Sequence, residues 1–353
     1  MKSLHFGSAV IDIITLVASE NIERATFSND EKSFLMLEAG RKLPAQSISS
    51  NVGGGACNTA VSLARRGWQA AVRAKVGDDL NAAAIREHMS ANDLVDRMID
   101  SDLATGTAVM VASHDRNASI FVHRGANEAL VPDDIGDLDG HDLVYIAPMS
   151  SGSADCFPLV AERAKQAGAM VASNPGIRQL LNKTEAFLGA LQHLDLVSIN
   201  RVEADALVPS LAFGGAASGT PADGPPLLRR GLLFGTVRIG LKPFMQMLQA
   251  KGPKWVLLTD GMDGAYLMTP GGEVIWHPAL PAEVAGTAGA GDAFCSTTTA
   301  ALAEGLAPED ALAQASANAA SVVSFVDTTA GLLGAADLAN RLAAVPTSLA
   351  ETL

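Results

Sequence analysis

Beyond residue 140 the chain alternates short apolar runs with longer stretches whose apolar positions recur at helical spacing. Leu143–Ala147 and Met170–Ala172 read as buried strands separated by a helix near Ala154–Gln166, and Leu194–Ile199 and Trp255–Leu258 continue the series. Strands without a polar face, alternating with helices, predict a parallel sheet covered on both sides. The C-terminal third predicts three helices, Ala290–Glu304, Pro308–Phe325 and Ala335–Ala344. Pro308 suits a first helical turn, where a missing N–H costs little. Met1–Ile14, one Lys followed by a short apolar stretch containing Asp12, reads as a first strand rather than a cleaved leader.

Two regions depart from that rhythm. Residues 15–50 and 95–125 contain short β-like stretches, among them Thr107–Ala112 and Ser119–His123 across a polar turn at His114–Asn117. They predict a small β-sheet projecting from the main body as a lid. Residues 209–235 are rich in Gly, Pro, Ala and Ser and predict a mobile surface insertion.

Composition narrows the function classes. An apolar fraction of 48% with 18% charged residues describes a filled globular core. A net charge of −13 disfavours nucleic acid and anionic membranes as partners, since those need clustered Lys and Arg. It does not exclude a nucleotide, whose phosphates are handled locally by backbone N–H groups and metal ions. The three cysteines, Cys57, Cys156 and Cys295, lie far apart without a C-x-x-C pair. They argue against a disulfide framework or zinc cluster and for a reducing cytoplasm.

The chemistry concentrates in Gly286-Thr287-Ala288-Gly289-Ala290-Gly291-Asp292-Ala293-Phe294, directly before a helical pattern. Unpaired N–H groups at a helix start make a positive pocket, and small residues let a phosphate reach the backbone. Asp292 beside that pocket could take a proton from an attacking alcohol while the N–H groups of Gly289, Ala290 and Gly291 stabilise the phosphoryl charge. The plainer alternative is a carboxylate that caps the helix or complements its dipole.

Companion motifs favour the first reading. Gly7-Ser8-Ala9-Val10-Ile11-Asp12, Gly53-Gly54-Gly55-Ala56-Cys57-Asn58, Val76-Gly77-Asp78-Asp79, Arg124-Gly125-Ala126-Asn127, Asn200-Arg201-Val202-Glu203, Thr259-Asp260-Gly261-Met262-Asp263-Gly264 and Ala317-Asn318-Ala319-Ala320 occur in order around the Asp292 element. In this series the chain resembles the ribokinase-like (PfkB) carbohydrate kinases over nearly its whole length. The resemblance implies a single α/β kinase domain over residues 1–353: a three-layer sandwich with a mostly parallel central sheet and a small β-sheet lid. It implies ATP and Mg²⁺ as cofactors. It places Asp12, Gly53, Gly54, Asn58 and Arg124 on the acceptor. It assigns Asn200, Thr259, Gly261, Gly264, Gly289, Gly291 and Asn318 to the nucleotide, and Glu203 with Asn200 to the metal through intervening water. Each position also has an ordinary structural explanation. Asn200 and Glu203 have the i, i+3 spacing of a capping pair, the glycines suit a tight strand–helix entry, Arg124 could be solvated, and Asn318 could bond a neighbouring backbone.

The chain departs from the family where D-T-x-G-A-G-D becomes Gly286-Thr287-Ala288-Gly289-Ala290-Gly291-Asp292. Relatives that use a monovalent cation ligate it with that first Asp, so no strong dependence on K⁺ is expected. Ser173-Asn174-Pro175-Gly176 also departs from the acidic D-x-N-x-R string of fructose-type relatives. The expected activity is ATP-dependent phosphorylation of a hydroxyl on a small sugar. A nucleoside kinase is the alternative within the family, and a catalytically silent nucleotide-binding protein the alternative outside catalysis. The β-lid offers a surface for a homodimer.

Overall fold

The computed structural model describes residues 1–18, 20, 23–26, 33–40, 42–112, 118–211, 223–343 and 349–353. A ten-stranded sheet runs in the order Glu351–Thr352, Val274–His277, Ala265–Met268, Trp255–Thr259, Leu196–Asn200, Met170–Ser173, Leu143–Ile146, Lys2–Phe6, Gln69–Arg73, Val95–Asp96. From Trp255–Thr259 to Val95–Asp96 every pairing is parallel, and the three strands at the other edge are antiparallel. Side chains of one strand alternate between two apolar cores, one on each face. Val144 and Ile146 enter one core, Leu143 and Tyr145 the other, all fully buried. That is why the sequence shows continuous apolar runs here. The predicted strands and C-terminal helices fall at Leu143–Ile146, Met170–Ser173, Leu196–Asn200, Trp255–Thr259, Ala290–Ala303, Pro308–Val322 and Ala335–Ala343.

The second sheet has four strands in the order Ala118–His123, Gly106–Ala112, Val10–Val17, Ala45–Gly53. Its extent differs from the segments read from sequence. The expected first strand is two: Lys2–Phe6 ends in the large sheet, and the chain crosses at Gly7–Ala9 into Val10–Val17 of the small one. Small residues allow the crossing, because a Cβ on Gly7 would press against Ala147 at 2.8 Å. Asn127 clamps it, accepting from Ala9 N–H and donating to Ala9 C=O, both at 2.9 Å. Val95–Asp96 belongs to the edge of the large sheet and Ile99–Ser101 pairs with Lys75–Gly77, so only the later part of the 95–125 segment enters the small sheet. The turn at His114–Asn117 lies outside the described residues.

Of the 209–235 stretch, residues 212–222 lie outside the described residues. The rest carries regular structure. The Arg201–Leu211 helix includes Pro209, Pro226–Arg230 is a short helix, and Leu232–Phe234 pairs with Val237–Ile239. Leu227 and Leu232 are fully buried. Glycine and proline signalled turns in this stretch, but Leu227 and Leu232 belong to the core while Leu233 is exposed.

Candidate active site

Parallel pairing places strand after strand with its carboxyl end on the same edge of the large sheet, where such sheets collect their ligands. Ala147 follows one strand, Asn174 the next, and Asn200 and Thr259 are direct partners in adjacent strands. The Ala290–Ala303 helix starts at this edge. Its N-terminal neighbour Gly289 has φ 80°, and the Ala293 N–H returns to Gly289 C=O at 2.9 Å, closing the first turn. A Cβ on Gly289 would lie 2.9 Å from both Cβ and carbonyl oxygen of Thr328, so the glycine provides both the left-handed turn and the close approach.

Asp292 projects from that first turn. Its Oδ2 accepts from Asn58 Nδ2 at 2.8 Å and its Oδ1 from Asn174 Nδ2 at 3.1 Å. Burial pushes its carboxyl above the ordinary range, and the two amide donors pull it back down. A desolvated carboxylate fixed in this way is a stronger base than a solvated one and cannot swing away from its task.

Asn58 is only 4% exposed and is used at both ends, since its Oδ1 accepts from Thr328 Oγ1 at 2.9 Å. The structure thus places it directly against the Asp292 carboxylate, with one bond from its Nδ2 and one to its Oδ1 made within the protein. Asn174 was not among the residues picked out for the site. It sits 118 positions from Asp292, and only its location just after a predicted parallel strand could have marked it. Its Oδ1 is buried and has no hydrogen-bond partner. A buried acceptor without a donor costs on the order of 1–3 kcal/mol, so this amide is incomplete as it stands.

Asp12 lies on the small sheet, directly opposite both Asn51 and Ala108. It lines a cavity of about 160 Å³ with Ile14, Asn51, Met110, Ile120, Asp327 and Thr328, closed on the helix side by Ala288. Alternation along paired strands brings Asp12, Ile14, Asn51, Ala108 and Met110 to one face. Burial, with Asp327 nearby, pushes the Asp12 carboxyl up to about 6. Sequence reasoning passed over Asp327 and Thr328, which follow the last long helix and carry no motif of their own. Gly53 has no room for a side chain, because a Cβ there would overlap the Asp12 carboxylate. Gly53→Ala is therefore expected to displace Asp12 and raise the acceptor KM by about tenfold, with the nucleotide KM little altered. Steady-state titration of each substrate checks this; an unchanged acceptor KM would separate Asp12 from the acceptor.

The other motif residues are placed as follows. Gly54, at φ 97°, forms the tight entry to the Gly55–Arg65 helix, where a Cβ would overlap the carbonyl oxygen of Ser8. Arg124 donates to Ser150 Oγ at 3.2 Å and pairs with Glu128 at 3.5 Å, and no contact joins it to Asp12 or Asp292. Asn200 and Glu203 form a reciprocal cap on the Arg201–Leu211 helix. Asn200 N–H donates to Glu203 Oε2 at 2.9 Å, and Glu203 N–H to Asn200 Oδ1 at 3.0 Å. Burial pushes Glu203 up to about 7 against these bonds. Among the described residues no cluster of three His, Cys, Asp or Glu is poised around a metal position. Thr259, Gly261 and Gly264 form the turn beside Asn200. Asn318 is 1% exposed, donating to Thr297 Oγ1 at 2.8 Å and accepting from Leu333 N–H at 2.9 Å. It ties two helices to a loop, with both ends of its amide occupied inside the protein.

Residues 21–333 match the model of the pfkB family carbohydrate kinases. The chain is 27% identical over 296 residues to the ribokinase of Bacillus subtilis, covering 82% of this chain and 87% of that protein. It is 26% identical over 287 residues to a bifunctional ribokinase/ribose-5-phosphate isomerase A of Fructilactobacillus sanfranciscensis. That match covers 80% of this chain but 47% of the relative, so the chain spans about half of that longer protein. The crystal structure of a ribokinase from Thermotoga maritima superposes with a TM-score of 0.72 at 21% identity, over 97% of this chain and 99% of that one, and shares its fold.

Proposed function

The chain belongs to the pfkB family of carbohydrate kinases, and from that premise we propose that Asp292 takes the proton from an acceptor hydroxyl as the γ-phosphoryl group of ATP passes to it. The activity is that of an ATP-dependent sugar or nucleoside kinase. The observation that carries the assignment is the Asp292 carboxylate held by two amides at the mouth of a glycine-rich helix start. The acceptor enters the cavity between the small sheet and this helix, and the ionised Asp12 accepts from its hydroxyls. The orphaned Asn174 Oδ1 accepts a further hydroxyl proton, which relieves the incomplete amide. N–H groups of Gly289 and Gly291 face the phosphoryl charge, while that of Ala290 already donates to Thr287 C=O at a long 3.4 Å and would have to be shared with it. Closure of the small sheet over the site excludes water and so limits ATP hydrolysis.

The nucleotide lies along the turn Thr259–Gly264 beside Asn200. Mg²⁺ bound with it would neutralise phosphate charge. Asn200 and Glu203 commit their facing oxygens to each other's N–H groups, so they would hold the ion through water rather than directly.

A nucleoside as acceptor is favoured by one feature. The cavity's lid wall is Ile14, Ala108, Met110 and Ile120, apolar side chains that suit a flat base better than a ring of hydroxyls. ADP release measured across pentoses, hexoses, keto-acid sugars and nucleosides tests the proposal and chooses between the two. No release with any of them would remove the kinase reading.

The small sheet exposes Ile48 and Phe121 on the face opposite Asp12, and a second copy docking there would form a dimer. Free buried cysteines fit a reducing compartment such as the cytoplasm. Among the described residues no helix is long and apolar enough to cross a membrane.

The pH profile follows from the two carboxylates. A base must be ionised, so kcat falls as pH drops through the raised pKa of Asp292. Asn174→Leu removes one of the donors that lower it, and the acidic limb of kcat is expected to move to higher pH. The acceptor KM should also rise below about pH 6 as Asp12 takes up a proton. A limb in the same place for wild type and N174L would show that Asn174 does not tune the base.

A further inference from the structure

The described C-terminal part of the 209–235 stretch is fastened to the turn assigned to the nucleotide. Asp260, the second residue of Thr259–Gly264, keeps only 5% of its side chain exposed, yet each carboxylate oxygen meets a different arginine. Arg201 Nε donates to Oδ1 at 3.0 Å, and Arg230 Nη2 donates to Oδ2 at 2.8 Å. Arg201 stands next to Asn200 at the start of its helix, while Arg230 ends the Pro226–Arg230 helix.

That short helix and the hairpin after it are themselves anchored. Leu227 N–H donates to the Tyr266 hydroxyl at 3.0 Å, and Leu233 N–H to Asp205 Oδ1 at 2.8 Å. Asp205 pairs through its other oxygen with Arg201 at 3.2 Å. The turn is shaped from within by Asp260 N–H to Gly264 C=O at 2.8 Å and Asp263 N–H to Asp260 C=O at 3.0 Å. Inner and outer bonds meet at one residue. A nearly buried carboxylate that lost one of its two arginines would be left under-paired and would have to turn towards water, carrying the turn with it.

We propose that residues 226–239 act as a positioning element for the nucleotide, with Arg230 holding the Thr259–Gly264 turn through Asp260 in the shape that receives a nucleoside triphosphate. This rests on the assignment of that turn to the nucleotide. Arg230 does not touch the reacting atoms, so its effect falls on nucleotide affinity rather than on the acceptor or the transfer step. Arg201 shares the carboxylate but also lies beside Asn200, which makes Arg230 the cleaner probe.

The test uses the intact chain, with direct calorimetric binding of ADP in the absence of acceptor alongside steady-state kinetics. Arg230→Ala is expected to weaken ADP binding and raise the ATP KM by about tenfold, the scale of one charge-assisted hydrogen bond. The acceptor KM and kcat at saturating ATP should stay within about twofold. Arg230→Lys, which keeps one donor, should recover part of the loss. Asp260→Asn should reproduce the effect, and the double variant R230A/D260N should be no worse than either single one. Unchanged ADP affinity in R230A would overturn the proposal. So would an equal loss in every parameter together with a lowered Tm, which would mark Arg230 as a general clip on the fold. If the unaltered protein failed to bind ADP at all, the kinase assignment itself would fall, and that result is distinct from a selective defect in the variant.

Discussion

Asp292→Asn is expected to lower turnover by ~10²–10⁴-fold while nucleotide binding is retained. The substitution is nearly isosteric, so both neighbouring amides keep a contact: Asn58 Nδ2 and Asn174 Nδ2 now meet Oδ2 and Oδ1 of the acid. One of them would face an NH₂ group in the variant, and Asn174, whose own Oδ1 is without a donor, is the amide able to turn over and accept from it. The local geometry is thus preserved while the site loses its proton acceptor. Single-turnover measurement of ADP formation, with nucleotide affinity measured separately, checks the result. Near-normal turnover would remove Asp292 from the role of base.

Gly289→Ala is expected to reduce kcat by about 10²–10³-fold, comparable to losing a backbone donor from an anion hole. At φ 80° an L-residue is strained by roughly 1–2 kcal/mol. That strain alone would be tolerable. The new methyl, however, would press on Thr328, whose hydroxyl bonds Asn58, which in turn holds Asp292. One substitution therefore disturbs the phosphoryl pocket and the base together. The expected signature is a fall in kcat larger than any change in Tm would explain. If kcat survives while Tm drops by several degrees, the glycine matters for folding and not for the pocket.

The layered sheet and the Asp292 element were legible in the sequence because both are local signals. Apolar runs reveal strands buried on two faces, and a run of small residues before a helix pattern reveals a glycine-rich helix start. Contacts across long sequence distances were not. Asn58 sits 234 positions from Asp292, and nothing in its motif shows that its amide turns to the carboxylate and Thr328. Asn318 looked like a pocket residue, but its Ala-rich helix packs so closely that Thr297 and Leu333 take up both ends of its amide. Asp12 was read at the end of a continuous strand, whereas three small residues let the chain change sheets before reaching it. At Asn200 and Glu203 the capping geometry is present, and the proposed role towards Mg²⁺ would have to run through water.

The crossing at Gly7–Ala9 bears on which acceptors can react. Asn127 grips the end of this crossing, Ala9, on both its N–H and C=O, and the small sheet is joined to the main body again where Gly53 leads into the Gly55–Arg65 helix. A panel held at both of these points near Asp12 would tilt more readily than slide. If the sheet closes by swinging about that pivot, Ile48, opposite Thr15, would move further than Asp12, three residues past it. With the two carboxylates in their proposed roles, the gap between Asp12 and Asp292 would then hold nearly constant through closure. Such a gap would act as a molecular calliper, admitting hydroxyls by their distance from the gripped end.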